Sequence, residues 1–255
     1  MIQAQRFEYI MHQLECSGVV TVSELTQTTG SSRSTIRRDL FNLEQQGKLK
    51  CTRGGAVSLV PAKASCEPFY AVRQDYHVEE KRRIANAALE YIQPNDTVIL
   101  DSGTTVLELA KLLRDKRDLY IATNDLHGAM ELSSNPAITL MMLGGCVRTG
   151  YFSINGIFTT DMLRQIHADI VFLGADAIDS EIGLMTFSPD ELQTKRMMIK
   201  SSRKSIVLCD HSKFSAIAFA NVAPLSNIDL VITGREVDPN ILKRLKDANV
   251  NIQVV

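Results

Sequence analysis

The first thirty residues carry two short stretches of helical periodicity, each ended by a glycine. Four apolar side chains recur at the i, i+3, i+4, i+7 spacing of a one-sided amphipathic helix: Phe7, Ile10, Met11 and Leu14. Gly18 ends that helix. Thr21, followed three residues later by Glu24, has the spacing of a capping box and begins a second helix that ends at Gly30. The chain is therefore predicted to begin with two helices joined by a short connection.

A third helix is predicted to start at Ser31 or Ser32 and to present a polar, basic face. Ile36, Leu40 and Leu43 fall at i, i+4 and i+7 and define its apolar side. Hydroxyl and guanidinium groups cluster in its N-terminal half, mostly away from that side. Such a surface suits entry into the major groove of DNA, where these groups reach bases and phosphates. The helix residues predicted to contact DNA are Ser32, Arg33, Ser34, Thr35, Arg37 and Arg38.

The segment after the third helix, QQGKLKCTRGGAV, is predicted to form a two-stranded wing. Gly47 stops the helix, two short alternating stretches follow, and Gly54-Gly55 marks a turn. Lys48, Lys50 and Arg53 would then hold the phosphate backbone of the duplex, which positions a protein without reading sequence.

Charge supports a polyanionic partner for this segment. Up to Val57 there are seven Lys and Arg against five Asp and Glu, a balance of +2, whereas the remainder of the chain carries -3. A basic helix face alone is about as often an ordinary solvated surface as a DNA-binding surface. Three helices, a tight turn and a basic hairpin in this order make DNA binding the stronger interpretation.

Composition narrows the class of protein further. The 255 residues and 45% hydrophobic content predict a small domain followed by a larger one. The five cysteines contain no C-x-x-C pair and no histidine at ligand spacing, so we expect no zinc site, no disulfide framework, no cofactor and reduced thiols in a cytoplasmic protein. The N-terminus lacks a signal-peptide pattern, and the apolar runs are far below the roughly 18 residues of a membrane span, so no membrane association is expected.

Beyond residue 70, short β-rich runs alternate with helical segments. The runs are TVILD, LYIAT, ITLMML, DIVFLGA, SIVLCD and DLVIT. Strands that are apolar on both faces and alternate with helices predict an α/β fold with a parallel, helix-covered sheet. We therefore divide the chain into a DNA-binding domain at residues 1–57, a linker at 58–69 that contains two prolines, and an effector-binding and oligomerisation domain at 70–255.

Ligands of a parallel sheet bind beyond the carboxyl ends of its strands, and polar residues follow several of the predicted strands here. In DSGTT, Gly103 permits a tight turn, while hydroxyls and the N-H groups of the next helix could bind a phosphate; taken alone, such a turn is more often an ordinary helix cap. Lys213, Lys81 or Arg148 could neutralise the phosphate, and carboxylates could bind sugar hydroxyls. The predicted effector-binding residues are Asp101, Ser102, Gly103, Thr104, Thr105, Thr123, Asn124, Gly144, Gly145, Gly174, Asp176 and Lys213.

The chain resembles the DeoR family of bacterial transcription regulators over nearly its whole length. The N-terminal segment TVSELTQTTGSSRSTIRRDLFNLEQQGKLKCTRGGAV is similar to the family's winged helix-turn-helix. The strings EEKRRIA, LDSGTT, ATND, LGG, FLGADAID, KRMMI and DHSKF are similar to its C-terminal domain. Two departures are Arg53, where the family often has histidine, and Phe41, which is expected to be exposed where a polar residue is more usual.

This resemblance implies a Rossmann-like C-terminal domain related in fold to ribose-5-phosphate isomerase and glucosamine-6-phosphate deaminase. It implies that Asp101 to Thr105 form a phosphate loop, completed by Thr123, Asn124, Asp176 and Lys213. The partners it implies are double-stranded operator DNA, a phosphorylated sugar or polyol, and further copies of the chain in a dimer or tetramer. The expected function is therefore that of a ligand-released repressor of a carbohydrate or polyol operon.

Two other interpretations remain open at this point. The second domain could retain isomerase or deaminase chemistry, with Asp176 and Asp179 as acid-base groups, although the glycine-rich stretch of those enzymes is missing. Glu191 and Lys195, spaced i, i+4, are expected to form a surface pair on a helix, and neither His127 nor His211 is given a catalytic role. An architectural DNA-binding protein is the third interpretation, but it leaves the polar strand ends unexplained.

Overall fold

The structure is a computed structural model that describes residues 1–59 and 67–255, apart from the side chains at positions 17, 71 and 72. Within these residues the chain forms two compact units, Met1–Tyr76 and His77–Val255. No helix in the described part of the chain is long and apolar enough to cross a membrane.

In its described residues, the N-terminal unit is built from four helices and a small antiparallel sheet. Its elements are α1 (Gln3–Ser17), β1 (Val19–Thr21), α2 (Val22–Thr29), α3 (Arg33–Gln45), β2 (Leu49–Thr52), β3 (Gly55–Ser58) and α4 (Tyr70–Asp75). The start and stop residues identified in the sequence lie at the ends of these helices. The Thr21 hydroxyl accepts a hydrogen bond from Glu24 N–H while the Glu24 carboxylate accepts one from Thr21 N–H, and Gly18 and Gly30 end their helices in the left-handed region.

The wing contains one strand more than the sequence predicted. β2 and β3 form the expected hairpin, and β1 adds to the outer side of β3, which gives the order β1-β3-β2. β1 was missed because three residues between two helices are too few to show alternation. Gly55 is required where β3 meets β1, since a Cβ there would lie 1.8 Å from the carbonyl oxygen of Val20.

The second unit alternates strands and helices. Its elements are α5 (Val78–Leu89), β4 (Thr97–Leu100), α6 (Thr104–Leu113), β5 (Leu119–Thr123), α7 (Leu126–Leu132), β6 (Ile138–Met142), β7 (Cys146–Val147), β8 (Ile154–Asn155), α8 (Ile157–Arg164), β9 (Ala168–Gly174), β10 (Ala177–Asp179), β11 (Gly183–Thr186), α9 (Pro189–Lys200), β12 (Ser202–Leu208), β13 (Ala220–Ala223), β14 (Leu230–Thr233), α10 (Pro239–Asp247) and β15 (Ile252–Val254). Two short 3-10 helices lie at His211–Ser215 and Leu225–Asn227.

A seven-stranded parallel sheet forms the centre of this unit, in the order β15-β14-β12-β9-β4-β5-β6. One apolar cluster packs α5 and α6 against one face, around Val98 and Phe172. A second cluster packs α8, α9 and α10 against the other face, around Ile99 and Val171. The α/β class with helices on both faces is therefore confirmed.

The unit boundary and the thiols differ from the sequence-based expectation. Helix α4 belongs to the N-terminal unit, so that unit ends at Tyr76, whereas the sequence placed the start of the second domain at residue 70. Of the predicted linker, residues 60–66 lie outside the described residues. Cys51, Cys146 and Cys209 are free thiols, as expected, but Cys16 is disulfide-bonded, which corrects the expectation of reduced thiols at that position.

Candidate functional site

The third helix begins with a cluster of hydroxyl groups. Ser32 is the N-cap of α3, and its Oγ accepts a hydrogen bond from Thr35 N–H at 3.2 Å. The same oxygen lies 2.8 Å from Ser34 Oγ and 2.9 Å from Thr35 Oγ1. Ile36, Leu40 and Leu43 are buried on the opposite side of the helix. The start of α3 thus presents three hydroxyls on the side away from the core.

The basic side chains predicted to contact DNA are all exposed. They are Arg33, Arg37 and Arg38 on α3, and Lys48, Lys50 and Arg53 in the wing. Within the described residues none of these six forms an ion pair with a carboxylate, so their charges remain available to phosphates. Phe41 is 56% exposed on the same helix, as its position predicted.

Two polar contacts fix α3 relative to its neighbours. Asp39 is buried on α3 and accepts hydrogen bonds from Arg6 of α1, with Nε 2.6 Å from Oδ2. On the other side, Glu44 Oε1 accepts the backbone N–H of Cys51 in β2 at 2.8 Å. These contacts hold the helix between α1 and the wing, so Arg6 supports the surface from inside and does not belong to it.

The second candidate site lies where β4 and β9 run side by side. The chain proceeds from β4 to β5 and β6 on one side and returns to β9 on the other, so the strand order reverses at this point, where α/β proteins bind ligands. Asp101, directly after β4, is 1% exposed and accepts the N–H of Gly174 at 3.0 Å. Gly174 is required here because a Cβ would approach the carbonyl oxygen of Ser102 to 2.9 Å.

The loop from Ser102 to Thr105 leads from β4 into α6. Gly103 occupies the N-cap position with φ 143°, and no side chain caps the first turn of this helix. The hydroxyl groups of DSGTT are therefore not used in capping this helix. The hydroxyls of Ser102 and Thr104 are half-exposed beside the N–H groups of the helix start, an arrangement of donors that suits an anion.

Lys195 and Glu191 form part of the buried site, which corrects the surface pairing expected from sequence. Both lie on α9, and they are 3% and 7% exposed. Lys195 Nζ donates to Asp101 Oδ2 and, at 3.1 Å, to the carbonyl of Gly174. Burial alone would lower the pKa of Lys195, but the carboxylates of Asp101, Glu191 and Asp176 raise it, so the ammonium form is maintained.

Glu191 and Asp176 anchor a second group of polar contacts. Glu191 accepts hydrogen bonds from Ser153 Oγ at 2.8 Å and Arg148 Nη1 at 3.3 Å. Asp176 Oδ2 accepts the Thr186 hydroxyl at 3.0 Å, and that hydroxyl also lies 3.4 Å from Glu191 Oε2. The two carboxylates are thus held side by side through Thr186.

The end of β5 supplies further buried acceptors. Asn124 Nδ2 donates to the carbonyl of Ile154, and Asp125 Oδ1 accepts Gly128 N–H and caps α7. Burial raises the pKa of Asp125 to about 6. Four buried acceptor atoms in this region have no hydrogen-bond donor in the described structure: Asp101 Oδ1, Asn124 Oδ1, Asp125 Oδ2 and Asn155 Oδ1.

Three predicted effector residues lie away from this cluster or have another use. Gly144 and Gly145 follow β6 and contact α8: the Thr159 hydroxyl donates to the carbonyl of Gly144 at 2.8 Å, and a Cβ at Gly145 would lie 2.4 Å from Thr159 Oγ1. Lys213 lies past β12 beside Asp210, whose carboxylate it stabilises. The other predicted effector residues meet where β4, β5 and β9 end, with Thr123 fully buried and its Oγ1 accepting the N–H of Asp125.

A basic winged helix-turn-helix, together with a parallel-sheet unit that carries buried polar groups at the carboxyl ends of its strands, is typical of a transcription regulator. Comparison with known proteins agrees. Residues 6–61 match the DeoR-like helix-turn-helix domain, and residues 76–235 match the DeoR C-terminal sensor domain. The chain belongs to the DeoR family.

Individual relatives show what the chain is similar to. It is 36% identical to the HTH-type transcriptional regulator GolR of Listeria innocua, over 100% of this chain and 99% of that protein. It is 32% identical to the glycerol-3-phosphate regulon repressor of Escherichia coli, over 100% of both chains. A solved structure of ribose 5-phosphate isomerase A from Methanocaldococcus jannaschii is 17% identical, covers 52% of this chain and 53% of that chain, and has a TM-score of 0.39.

The full-length relatives are named as regulators and repressors, not enzymes. This confirms that the chain is a transcriptional regulator and sets aside the isomerase or deaminase interpretation.

Proposed function

We propose that this protein represses a carbohydrate or polyol catabolic operon and is released from its operator by a phosphorylated polyhydroxy compound. The observation that carries the proposal is that two kinds of polar group occur at the carboxyl ends of the central strands. Donor groups gather at the Ser102–Thr105 loop, and carbonyl and carboxylate acceptors gather at Asp101, Asn124, Asp125 and Asn155. A phosphate group would accept hydrogen bonds from the donor groups of the loop. The hydroxyl groups of the ligand would donate hydrogen bonds to the acceptors.

The unpartnered acceptors strengthen the polyhydroxy half of this proposal. A buried acceptor without a donor costs about 1–3 kcal/mol, so four together favour any ligand that brings several O–H groups to them. The similarity to a glycerol-3-phosphate regulon repressor, aligned over 100% of both chains, is consistent with a polyol or sugar phosphate as ligand here. The predicted sensor residues support the same ligand class.

DNA binding would follow the division between readout and positioning. Base edges in the major groove would be contacted from α3, by Ser34, Thr35, Arg37 and Arg38. The Lys and Arg side chains of the wing would contact phosphates. A single helix-turn-helix covers only a few base pairs, so a homo-oligomer on repeated half-sites is part of the proposal. The effector would release the operator by binding more tightly to the oligomer state whose half-site spacing does not match it.

The experiment that tests the proposal has two arms. Duplexes selected from a random pool by the protein supply the operator probe, and sugar and polyol phosphates are then screened, beside their unphosphorylated parents, for a shift in thermal midpoint. A compound that shifts the midpoint and also releases the probe in fluorescence anisotropy supports the proposal. The proposal is contradicted if no phosphate in the panel shifts the thermal midpoint at millimolar concentration. It is also contradicted if a phosphate shifts the midpoint but does not release the DNA probe.

Matched variants localise the effect to the loop. Thr105→Val removes a hydroxyl at the start of α6 while keeping the side-chain shape, and is expected to weaken the effector-induced shift without changing DNA affinity. Thr26→Val, at a half-buried hydroxyl in the N-terminal unit, is the control and should leave the effector response unchanged.

A further inference from the structure

A group of three potential metal ligands lies at the beginning of the second unit, His77–Val255, here called the sensor unit. None of the three is a predicted effector residue. His77 immediately precedes α5, Glu80 is in its first turn, and His211 begins the 3-10 helix after β12. One ligand atom from each of these residues lies within 4.8 Å of the other two. Segments more than 130 positions apart in the chain thus bring two imidazoles and a carboxylate together.

The carboxylate in this group is held firmly in place. Glu80 is 4% exposed, its Oε1 accepts the N–H of His211 at 2.8 Å, and its Oε2 lies 2.8 Å from His211 Nδ1. The His77 and His211 rings meet edge to face with centroids 4.6 Å apart. His77 is exposed and His211 is half-buried, so the group is open to solvent on the imidazole side.

The surrounding charges leave the group able to accept a cation. Lys81 and Lys213 are the neighbouring bases, and Asp210 and Glu80 are the neighbouring acids. The charges of the two lysines are matched by those of the two carboxylates.

We propose that His77, Glu80 and His211 bind one divalent transition-metal ion. Two imidazole nitrogens and one carboxylate oxygen are ligands that such ions prefer, whereas Mg²⁺ and Ca²⁺ prefer sets made of oxygens alone. The 2.8 Å between Glu80 Oε2 and His211 Nδ1 is close to the roughly 3 Å between adjacent ligands of a six-coordinate ion with bonds of about 2.1 Å. The ligand atom of His77 lies within 4.8 Å of the other two, so a change in its side-chain torsion angles on metal binding would bring it to the third position on one face of that ion.

Metal binding here has a consequence for the sensor unit. His77 is its first residue, so the ion joins the point where the sensor unit begins to the loop that follows β12. That loop also contains Lys213, one of the predicted effector residues. The proposal is independent of the effector's identity, because none of the three proposed ligands is a predicted effector residue.

The test uses the full-length, untagged protein after treatment with a chelator and in the presence of a phosphine reductant. Zn²⁺, Ni²⁺, Co²⁺ and Mn²⁺ are titrated by calorimetry and thermal melting, with Mg²⁺ and Ca²⁺ alongside. We expect one ion per chain for at least one transition metal. At a metal concentration about 100-fold above the dissociation constant, the midpoint of the sensor unit should rise by roughly 5 °C or more. The absorption spectrum of the Co²⁺ complex reports its coordination number.

Variants separate this site from adventitious imidazoles. His77→Asn introduces a residue that tolerates the left-handed conformation at this position, where φ is 54°. It should remove the metal-induced shift in thermal midpoint, while the midpoint without metal stays at the wild-type value. Glu80→Gln should also remove it. His167→Asn changes an exposed histidine elsewhere and should leave metal binding intact. No metal-induced shift at millimolar metal, or an equal shift in wild type and His77→Asn, would overturn the proposal.

Discussion

Replacing Lys195 with methionine is expected to destabilise the sensor unit strongly. The variant keeps the length of the side chain but leaves the Asp101 carboxylate in a site that is 1% exposed, with the N–H of Gly174 as its remaining donor at Oδ2. Breaking a buried ion pair by removing one partner costs about 3–5 kcal/mol, because the other charge stays desolvated. For a unit of this size, that loss lowers the thermal midpoint by roughly 6–20 °C.

The loss should depend on pH in a defined direction. Burial raises the pKa of Asp101 even with Lys195 beside it, and removing Lys195 removes the main charge that opposes this rise, so the folded variant binds the proton more tightly than the unfolded chain. Stability then falls as pH rises, and the deficit relative to wild type is smallest near pH 5 and grows toward pH 8.

Urea denaturation followed by circular dichroism measures this deficit, and two further variants give it meaning. Lys200→Met lies on the same helix but is exposed, so it should stay within about 0.5 kcal/mol of wild type. The double variant Asp101→Asn with Lys195→Met removes both charges and should recover a large part of the loss. The reasoning is refuted if Lys195→Met and Lys200→Met cost the same, or if the double variant is no more stable than Lys195→Met.

Three other predictions test the rest of the molecule. Arg37→Ala should weaken binding to the selected operator by about 1–3 kcal/mol in anisotropy titrations, or lower the salt slope by about 1, while the exposed Arg203→Ala in the sensor unit changes neither; equal behaviour of the two would remove α3 from the interface. The pKa of Asp125 is about 6 in the folded protein, so its carboxyl group stabilises the fold below pH 4 by roughly 2–3 kcal/mol, and this contribution is lost between pH 4 and pH 6. Asp125→Asn retains the helix cap and should flatten that part of the stability profile measured by urea denaturation. Gly55→Ala should disrupt the β1–β3 contact and abolish operator binding, whereas Gly54→Ala, where a Cβ meets nothing within 4 Å, should be tolerated in the same assay.

Local signals in the sequence were sufficient for the DNA-binding unit. The Thr21–Glu24 capping box, the Ser32 cap and the stripe through Ile36 each act within one or two turns of helix, so spacing along the chain determines them. The exposure of Phe41 followed from the same helical wheel. The three residues of β1 carried no such signal, because their pairing with β3 is a tertiary contact.

The buried ion pair was missed for a different reason. An i, i+4 Glu–Lys pair has the same spacing on a surface as in an interior, and what distinguishes them is the partner supplied by another element. Here that partner is Asp101, 94 positions away. A usable signal existed on α9 itself, because Glu191, Lys195 and the apolar Met198 fall at i, i+4 and i+7 and therefore share the side that faces the sheet.

The order of the central strands also affects how the protein is made. β9 pairs with β4 on one side and β12 on the other, so the middle of the sensor sheet cannot close until Leu208 has left the ribosome, about 150 residues after the wing. At about 5–20 residues per second, this interval is roughly 8–30 s. During that time the winged helix can already fold on the nascent chain while the residues that control it are still being synthesised, so a truncated product would carry the DNA-binding surface without its sensor.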